Sequence, residues 1–133
     1  MKNKIFHIAN FIFIILVLCA ICILEDVLVS NSLRAVQTQC YKIEKLIEGR
    51  ESLKSMDVVM AVDNLEYMWR QDESALCFMV NHKSIQEIGQ EVVRLKTYIA
   101  EDEVTEFKVS LEEIKHYCYG YLHFMGANIH NVL

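Results

Sequence analysis

The hydrophobic pattern of the chain changes abruptly after residue 24. Residues 5–24 are apolar except for His7 and Asn10, and an acidic pair, Glu25-Asp26, ends the run. Twenty helical residues span about 30 Å, the thickness of the hydrocarbon core of a bilayer. The pattern therefore predicts a transmembrane helix followed by one extramembrane domain. The predicted segments are residues 1–4 (cytoplasmic), 5–24 (transmembrane) and 25–133 (extracytoplasmic).

A cleaved signal peptide and a lipoprotein signal are the two competing interpretations of this segment. A secretory signal has an apolar stretch of about 7 to 15 residues and a small-x-small cleavage site, which the bulky residues at 27–29 do not provide. Large residues precede Cys19 and Cys22, where lipoprotein processing needs a small one. We therefore expect an uncleaved single-pass anchor in the cell membrane. Two lysines before it and two acids after it predict a cytoplasmic N-terminus.

Beyond residue 24, apolar residues recur at alternating steps of three and four, the spacing of one helix face. The first helix continues the anchor and ends at Gly49-Arg50. A second is predicted at about residues 52–70, a polar turn at 71–74 with Ser74 as the N-cap of a third helix at 75–100, and a fourth helix after the acidic residues 101–103. The predicted core positions are Val29, Leu33, Val36, Cys40, Ile43, Ile47; Met56, Val58, Val59, Met60, Val62, Leu65, Trp69; Phe78, Met79, His82, Ile85, Ile88, Gly89, Val92, Leu95, Ile99; and Val104, Phe107, Leu111, Ile114, Cys118, Tyr121, Met125 and Asn128.

The chain has no proline and only four glycines, a composition that favours long helices. Four amphipathic helices joined by short turns predict an all-α fold, an antiparallel up-down four-helix bundle continuous with the transmembrane helix. In such a bundle, the turn between the second and third helices and the C-terminus lie near the bilayer. We expect Gly89 to permit a close helix contact and Trp69 to anchor the core.

Charge and motifs limit the function classes. All 18 acidic residues but only 11 of the 13 basic residues lie beyond residue 24, so the domain is acidic and unsuited to nucleic acid. The motifs GxSxG, GxxxxGKS and GxGxxG are absent from the sequence. We expect no catalytic residue and no cofactor. Five cysteines without an extramembrane CxxC pair favour small buried thiols over a disulfide framework.

Histidines give the most regular polar pattern. His116, His123 and His130 are seven residues apart, so they lie about 10 Å from each other along a helix, too far to share one metal ion. His82 and Asn128 fall at core positions of the third and fourth helices. A single polar residue in a seam fixes helix register, and we expect that role for both. They are also weak candidates for binding a small ligand or haem inside the bundle.

The fourth helix has a second set of large apolar residues near its predicted membrane end. Apolar surface outside a core marks an interaction site. We expect this set to dock against an integral membrane protein or a second copy of the chain, in addition to the contact of residues 5–24 with the bilayer. The candidate partner-binding residues are Tyr117, Tyr119, Leu122, Phe124, Val132 and Leu133.

The order of several helix positions resembles a bacterial family. These positions are Trp69, Glu73, Leu76, His82, Ile85, Ile88, Leu95, Asp102, Leu111, Ile114 and Asn128-Ile129. They resemble the domain of unknown function 4363 family of spore-forming Firmicutes, small single-pass helical membrane proteins. The resemblance implies a cell-envelope protein, and its members look like accessory proteins. We therefore expect a non-enzymatic accessory or scaffold subunit; the alternative is a sensor or carrier that binds a small ligand, haem or a metal in the bundle interior.

Overall fold

The computed structural model describes the backbone of residues 2–80 and 82–130 and the side chains of residues 6–80 and 83–123. This part of the chain forms four helices: α1 (Lys2–Ile47), α2 (Met56–Met79), α3 (His82–Glu101) and α4 (Val104–His130). None of it is β-strand. The predicted all-α fold is confirmed.

The helices form a four-helix bundle in up-down order. Among the described residues, α1 packs against α2 and α4, and α3 packs against α2 and α4, so each helix contacts its two neighbours around a ring. The predicted seams supply the core. Its buried members include Val29, Leu33, Val36, Cys40, Ile43 and Ile47 of α1, Val58, Val62, Leu65 and Trp69 of α2, Ile85, Ile88, Val92 and Leu95 of α3, and Phe107, Leu111, Ile114 and Cys118 of α4.

Helix α1 runs without interruption through two different environments. Its first half, residues 6–24, exposes apolar side chains on all sides, whereas its second half buries one seam in the bundle. In the described chain, α1 is the one helix that is long and apolar enough to cross a membrane, by length and composition. The continuous helix means that the apolar segment and the bundle are joined without a linker.

The predicted turn at residues 71–74 is wrong. Helix α2 continues through this polar stretch to Met79, and α3 begins at His82 instead of residue 75. The polar residues sit on the outer and flanking faces of α2, while Leu76, further along, is buried in the core. The helix ends where Val80 takes an extended conformation and its N–H bonds to the Leu76 carbonyl at 2.8 Å.

Three predicted core positions, one near the end of α2 and two at its start, are also wrong. Phe78 is 94% exposed, and Met56 and Met60 are 74% and 61% exposed. Phe78 belongs to α2, where it lies two residues after the buried Leu76 and thus about 200° around the helix from it. Met56 and Met60 were assigned to a broadened apolar face, but the core seam of α2 is narrow. The prediction for Phe78 failed because the apolar spacing alone did not show where α2 ends.

Polar side chains close the end of the bundle farthest from the apolar segment, which we call the distal end (residues 48–55 and 102–103). Gly49 and Asp102 both have positive φ, 73° and 63°. The Asp102 carboxylate accepts hydrogen bonds from the Leu53 N–H at 2.7 Å and from the Ser52 hydroxyl. We call the opposite end, where α2 ends at Met79 and α3 begins at His82, the proximal end.

Candidate functional site

A close contact between α2 and α3 is built around Gly89. A Cβ atom placed on Gly89 would lie 3.1 Å from Trp69 Nε1 and 3.2 Å from Glu73 Oε1. Such distances are too short for a relaxed side chain, so glycine lets α3 approach the indole of Trp69 directly. The prediction that Gly89 permits a close helix contact is confirmed, as is the core position of Trp69, which is 2% exposed.

Trp69 brings an unpaired polar atom to this contact. Its Nε1 is buried and has no hydrogen-bond partner, a state that it alone has among the buried side-chain nitrogens and oxygens of the described residues. A buried donor without an acceptor costs about 1 to 3 kcal/mol. The Glu73 carboxylate lies on the same side of Gly89. The site thus places an N–H donor and a carboxylate acceptor around a backbone without a side chain.

A surface groove of about 630 Å³ opens beside this contact. It is lined by Glu73, Gln86, Gly89, Gln90, Val93 and Arg94. The lining offers amide, carboxylate and guanidinium groups, but no nucleophile with an activating base. A hydroxyl or an amide that donates a hydrogen bond to Glu73 fits this lining, and Gly89 separates it from the buried Trp69 N–H, which does not line the groove.

A buried lysine forms a second polar cluster between α1 and α4. Lys115 Nζ lies 2.9 Å from Glu44 Oε2, 2.5 Å from Glu112 Oε1 and 4.8 Å from the centre of the Tyr41 ring. Burial lowers the pKa of Lys115, but the hydrogen bonds to Glu112 and Glu44 outweigh this effect and leave the pKa above its ordinary value. The ammonium is therefore charged and paired, and it does not serve as a nucleophile.

A buried carboxylate joins α3 to α4 in a similar way. Glu91 is 5% exposed, and its Oε2 accepts a hydrogen bond from the Ser110 hydroxyl at 2.7 Å. Its other oxygen accepts one from the Arg94 guanidinium on the same helix. Both oxygens of Glu91 are engaged, so this group connects helices and has no free oxygen facing a substrate.

Two cysteines occupy neighbouring core seams at one level. Cys40 of α1 and Cys118 of α4 are both buried free thiols. The nearby contact between Glu44 and Lys115 shows that these parts of the two antiparallel helices are adjacent. Burial raises the pKa of each thiol to about 12. The predicted role as small buried thiols is confirmed for both, whereas Cys77 is half-buried near the proximal end.

Comparison with known proteins adds one match to this geometry. The family model for a domain of unknown function (DUF4363) matches residues 26–132. The chain belongs to the DUF4363 family. The match begins two residues after the apolar segment and covers the bundle half of α1 together with α2, α3 and α4. No curated protein and no solved structure was found to match the chain.

The structure describes the side chains of three of the six predicted partner-binding residues. Tyr117 and Leu122 are partly buried and pack against the core, so they lie at its edge. Tyr119 is 59% exposed, and its ring stacks on His123 with centroids 5.8 Å apart. The side chain of Phe124 and all of Val132 and Leu133 lie outside the described residues. The docking surface at the predicted membrane end of α4 stays a prediction.

The structure gives the backbone positions of His82 and Asn128 and the exposure of His116, one of the three evenly spaced histidines. His82 is the first residue of α3 and Asn128 lies in the last turn of α4, but their side chains are outside the described set. His116 is exposed. Within the residues that the structure describes, no group of three or more His, Cys, Asp or Glu side chains is placed to hold a metal ion.

The sequence interpretation missed an exposed apolar stripe on the DUF4363 domain. Met56, Met60 and Tyr67, which we call the outer stripe, are 61 to 74% exposed. Their spacings of four and seven return to one helix face, opposite the core seam of α2. Those spacings were visible in the sequence. An interpretation that places Met56 and Met60 in the core does not predict an exposed stripe.

Proposed function

We propose that this protein is a non-enzymatic, membrane-anchored helical bundle that serves as an accessory or scaffold subunit for another membrane protein. The outer stripe is the observation that carries the proposal. A helix of a self-contained bundle needs one apolar face, and α2 has a second on the side that faces away from the core. Exposed apolar side chains that share one face mark a contact with a partner.

The proposal places residues 5–24 across the cell membrane of a bacterium of the Firmicutes type, with a cytoplasmic N-terminus and the bundle outside. Support comes from the exposure of the apolar side chains of residues 6–24 and from the charges that flank the segment. The uninterrupted α1 supports a fixed distance between bilayer and bundle. A partner in the same membrane would then meet the outer stripe at a defined height.

The charges beside the outer stripe favour a protein partner with an apolar contact face. Asp63 binds Lys96 at 3.0 Å, and Glu66 binds both Lys96 and Arg70. Because these acidic groups are already paired, an approaching apolar surface does not have to neutralise them. A second copy of this chain is the competing occupant of the stripe.

Site-specific photocrosslinking in native membranes tests this function. A photoreactive phenylalanine analogue at Tyr67 should give one discrete adduct with an integral membrane protein, identified by mass spectrometry. The control is the same analogue at Val109, an exposed residue of α4, the helix diagonally opposite α2. Met60→Glu should remove the Tyr67 adduct and leave helicity unchanged. If no specific adduct forms at Tyr67, the outer stripe is not a partner surface. An adduct of twice the chain mass would show that a second copy of the chain, not another membrane protein, covers the stripe.

Membrane-impermeant thiol labelling tests the topology. Cys40, Cys77 and Cys118 lie on the predicted outer side and should react in intact cells once the protein is unfolded in place. Labelling that requires lysis of the cells would contradict the orientation.

A second function, binding of a small hydroxyl- or amide-bearing molecule, is favoured by the Glu73 carboxylate, which lines the groove at Gly89. Native mass spectrometry of the purified full chain should then show an added mass. Glu73→Gln should reduce its occupancy, whereas the distant Glu106→Gln should not. A chain that retains its unliganded mass under gentle conditions contradicts this second function.

A further inference from the structure

The last turn of α2 exposes a phenylalanine at the proximal end. Residues 76–80 are all apolar, and within this run Leu76 and Val80 are buried while Phe78 is 94% exposed. Phe78 is more exposed than any other large apolar side chain in the described chain. A phenyl ring in this position is unfavourable in water, because burying such a ring is a main source of hydrophobic stabilisation.

A hydrogen bond between α1 and α2 gives the height of this ring. Gln39 Nε2 donates to the Ala61 carbonyl at 3.0 Å, which sets these two residues side by side on antiparallel helices. Seventeen residues separate Ala61 from Phe78, and seventeen also separate Gln39 from Cys22. At about 1.5 Å per residue, both intervals are about 26 Å. Phe78 is therefore level with Cys22, to within about one helical turn.

Cys22 lies in the last turn of the apolar segment, two residues before its end. Helices α1 and α2 are adjacent, so the exposed ring of Phe78 lies at the same height along the bundle as the exposed apolar side chains of Ile21 and Leu24. If residues 5–24 cross the bilayer, this height corresponds to the boundary between hydrocarbon and headgroups. Lys83, in the first turn of α3, has a side chain that is 82% exposed and pairs with Glu87 at 3.9 Å.

We propose that the last turn of α2 inserts Phe78 into the interfacial layer of the bilayer, a second lipid contact in addition to the spanning helix. The inference rests on the proposed membrane span. The continuity of Phe78 with the apolar segment favours lipid as its occupant. An exposed apolar ring at the height where a spanning helix leaves the hydrocarbon is typical of interfacial membrane contacts. Two attachment points would fix the tilt of the bundle and the direction in which the outer stripe faces.

Tryptophan quenching by brominated lipids tests the contact. The full chain carrying Phe78→Trp is reconstituted into phosphatidylcholine and phosphatidylglycerol vesicles that carry bromine near the headgroups, bromine near the middle of the acyl chains, or no bromine. The native Trp69 is 2% exposed and provides the background. Phe78→Trp should emit at shorter wavelength and lose a substantial part of its added emission in brominated vesicles. Circular dichroism checks that helicity is unchanged.

Two matched variants make the outcomes distinct. The first is Tyr67→Trp. Tyr67 is 65% exposed in the native protein and lies eleven residues before Phe78 on α2, about 16 Å farther from the boundary. This variant should therefore be quenched no more than the wild type. Leu16→Trp lies near the middle of the apolar segment and should be quenched strongly by bromine near the middle of the acyl chains. Quenching of Leu16→Trp without quenching of Phe78→Trp overturns the lipid contact while the span stands. No quenching of Leu16→Trp overturns both.

A third outcome identifies a protein occupant of the Phe78 site. If Phe78→Trp emits at short wavelength without quenching, and this shift disappears when the protein is diluted in excess lipid, a second copy covers the ring. That result also overturns the lipid contact.

Discussion

The two ends of the bundle are closed by opposite kinds of chemistry. At the distal end, Asp102 accepts hydrogen bonds from Leu53 and Ser52, and the Arg50 guanidinium holds the pKa of Asp57 well below its usual range. At the proximal end, the apolar last turn of α2 leaves the Phe78 ring exposed. Polar groups that pair backbone N–H groups suit an end that faces water, and an exposed ring suits an end that meets lipid or protein.

Two phenylalanines express the same difference. Phe107, near the distal end, is 0% exposed, whereas Phe78, near the proximal end, is 94% exposed. Their side chains are identical, so burial follows from where each falls relative to the seam of its helix. Composition alone would count both as core residues. The contrast shows that the proximal end has apolar surface beyond what the bundle needs to fold.

Substitution of the two phenylalanines should give the largest difference between the ends. Phe107→Ala should lower the free energy of unfolding by about 3 to 5 kcal/mol, because it removes a fully buried ring and leaves a cavity. Phe78→Ala should change it by less than about 0.5 kcal/mol in detergent. Denaturant unfolding followed by circular dichroism measures both. Equal losses would show that Phe78 is part of the core after all.

Much of this fold could be predicted from the sequence. The three-and-four spacing in the bundle half of α1 and in α4 predicted their buried seams, because a helix that packs in a bundle turns one face toward the core. The α2–α3 boundary could not be found in the same way. The stretch at residues 71–74 is polar enough for a turn, yet those side chains fit the exposed sides of a continuing helix. Only packing of Leu76 decides between them.

The candidate site was predictable only in pieces. The sequence indicated that Trp69 is an anchor and that Gly89 allows a close contact, since tryptophan favours cores and glycine lacks a side chain. That the two meet, with Glu73 beside them, depends on the alignment of α2 against α3. No spacing along a single helix contains that information.

Thiol reactivity should give the second largest contrast. Raising the pKa of Cys40 and Cys118 from 9.0 to about 12 lowers their thiolate fraction about a thousandfold at pH 8, and burial also blocks access. The half-buried Cys77 near the proximal end should therefore react first with a maleimide, and mass spectrometry of tryptic peptides locates the label. Unfolding in denaturant is the control and should equalise the three rates. Early labelling of Cys118 in the folded protein would contradict the packed α1–α4 seam.

Glycine substitutions should give smaller effects of opposite sign. Gly89→Ala should destabilise the protein by about 1 kcal/mol, since strain against Trp69 outweighs the better helix propensity of alanine. Gly120→Ala is the matched control, because its Cβ would meet nothing within 4 Å; it should stabilise α4 by up to about 1 kcal/mol. Thermal unfolding of both variants and the wild type provides the comparison. Stabilisation by both would show that the indole moves away readily.

The smallest expected effect is a pH dependence at the distal end. The hydrogen bond from the Leu53 N–H, followed by that from Ser52, lowers the pKa of Asp102 below its ordinary value of about 3.9. The folded state therefore favours the carboxylate. Its stabilising contribution is complete above pH 4 to 5 and is lost as the pH falls through the lowered pKa. Because Asp102 lies near the surface, we expect a modest loss.

The variant Asp102→Asn isolates this contribution. Asparagine keeps an oxygen that can accept the Leu53 N–H and tolerates the positive φ of this position, but it does not titrate. Unfolding should therefore be followed from pH 7 to pH 2 in both proteins. Because Asp57 and Glu66 also have lowered pKa values, each protein loses stability in acid, and the difference between the two curves carries the information. That difference should favour the wild type at neutral pH and shrink below pH 4. A constant difference across the range would mean that Asp102 closes the distal end through its backbone conformation, and that its charge contributes nothing to the contrast with the apolar proximal end.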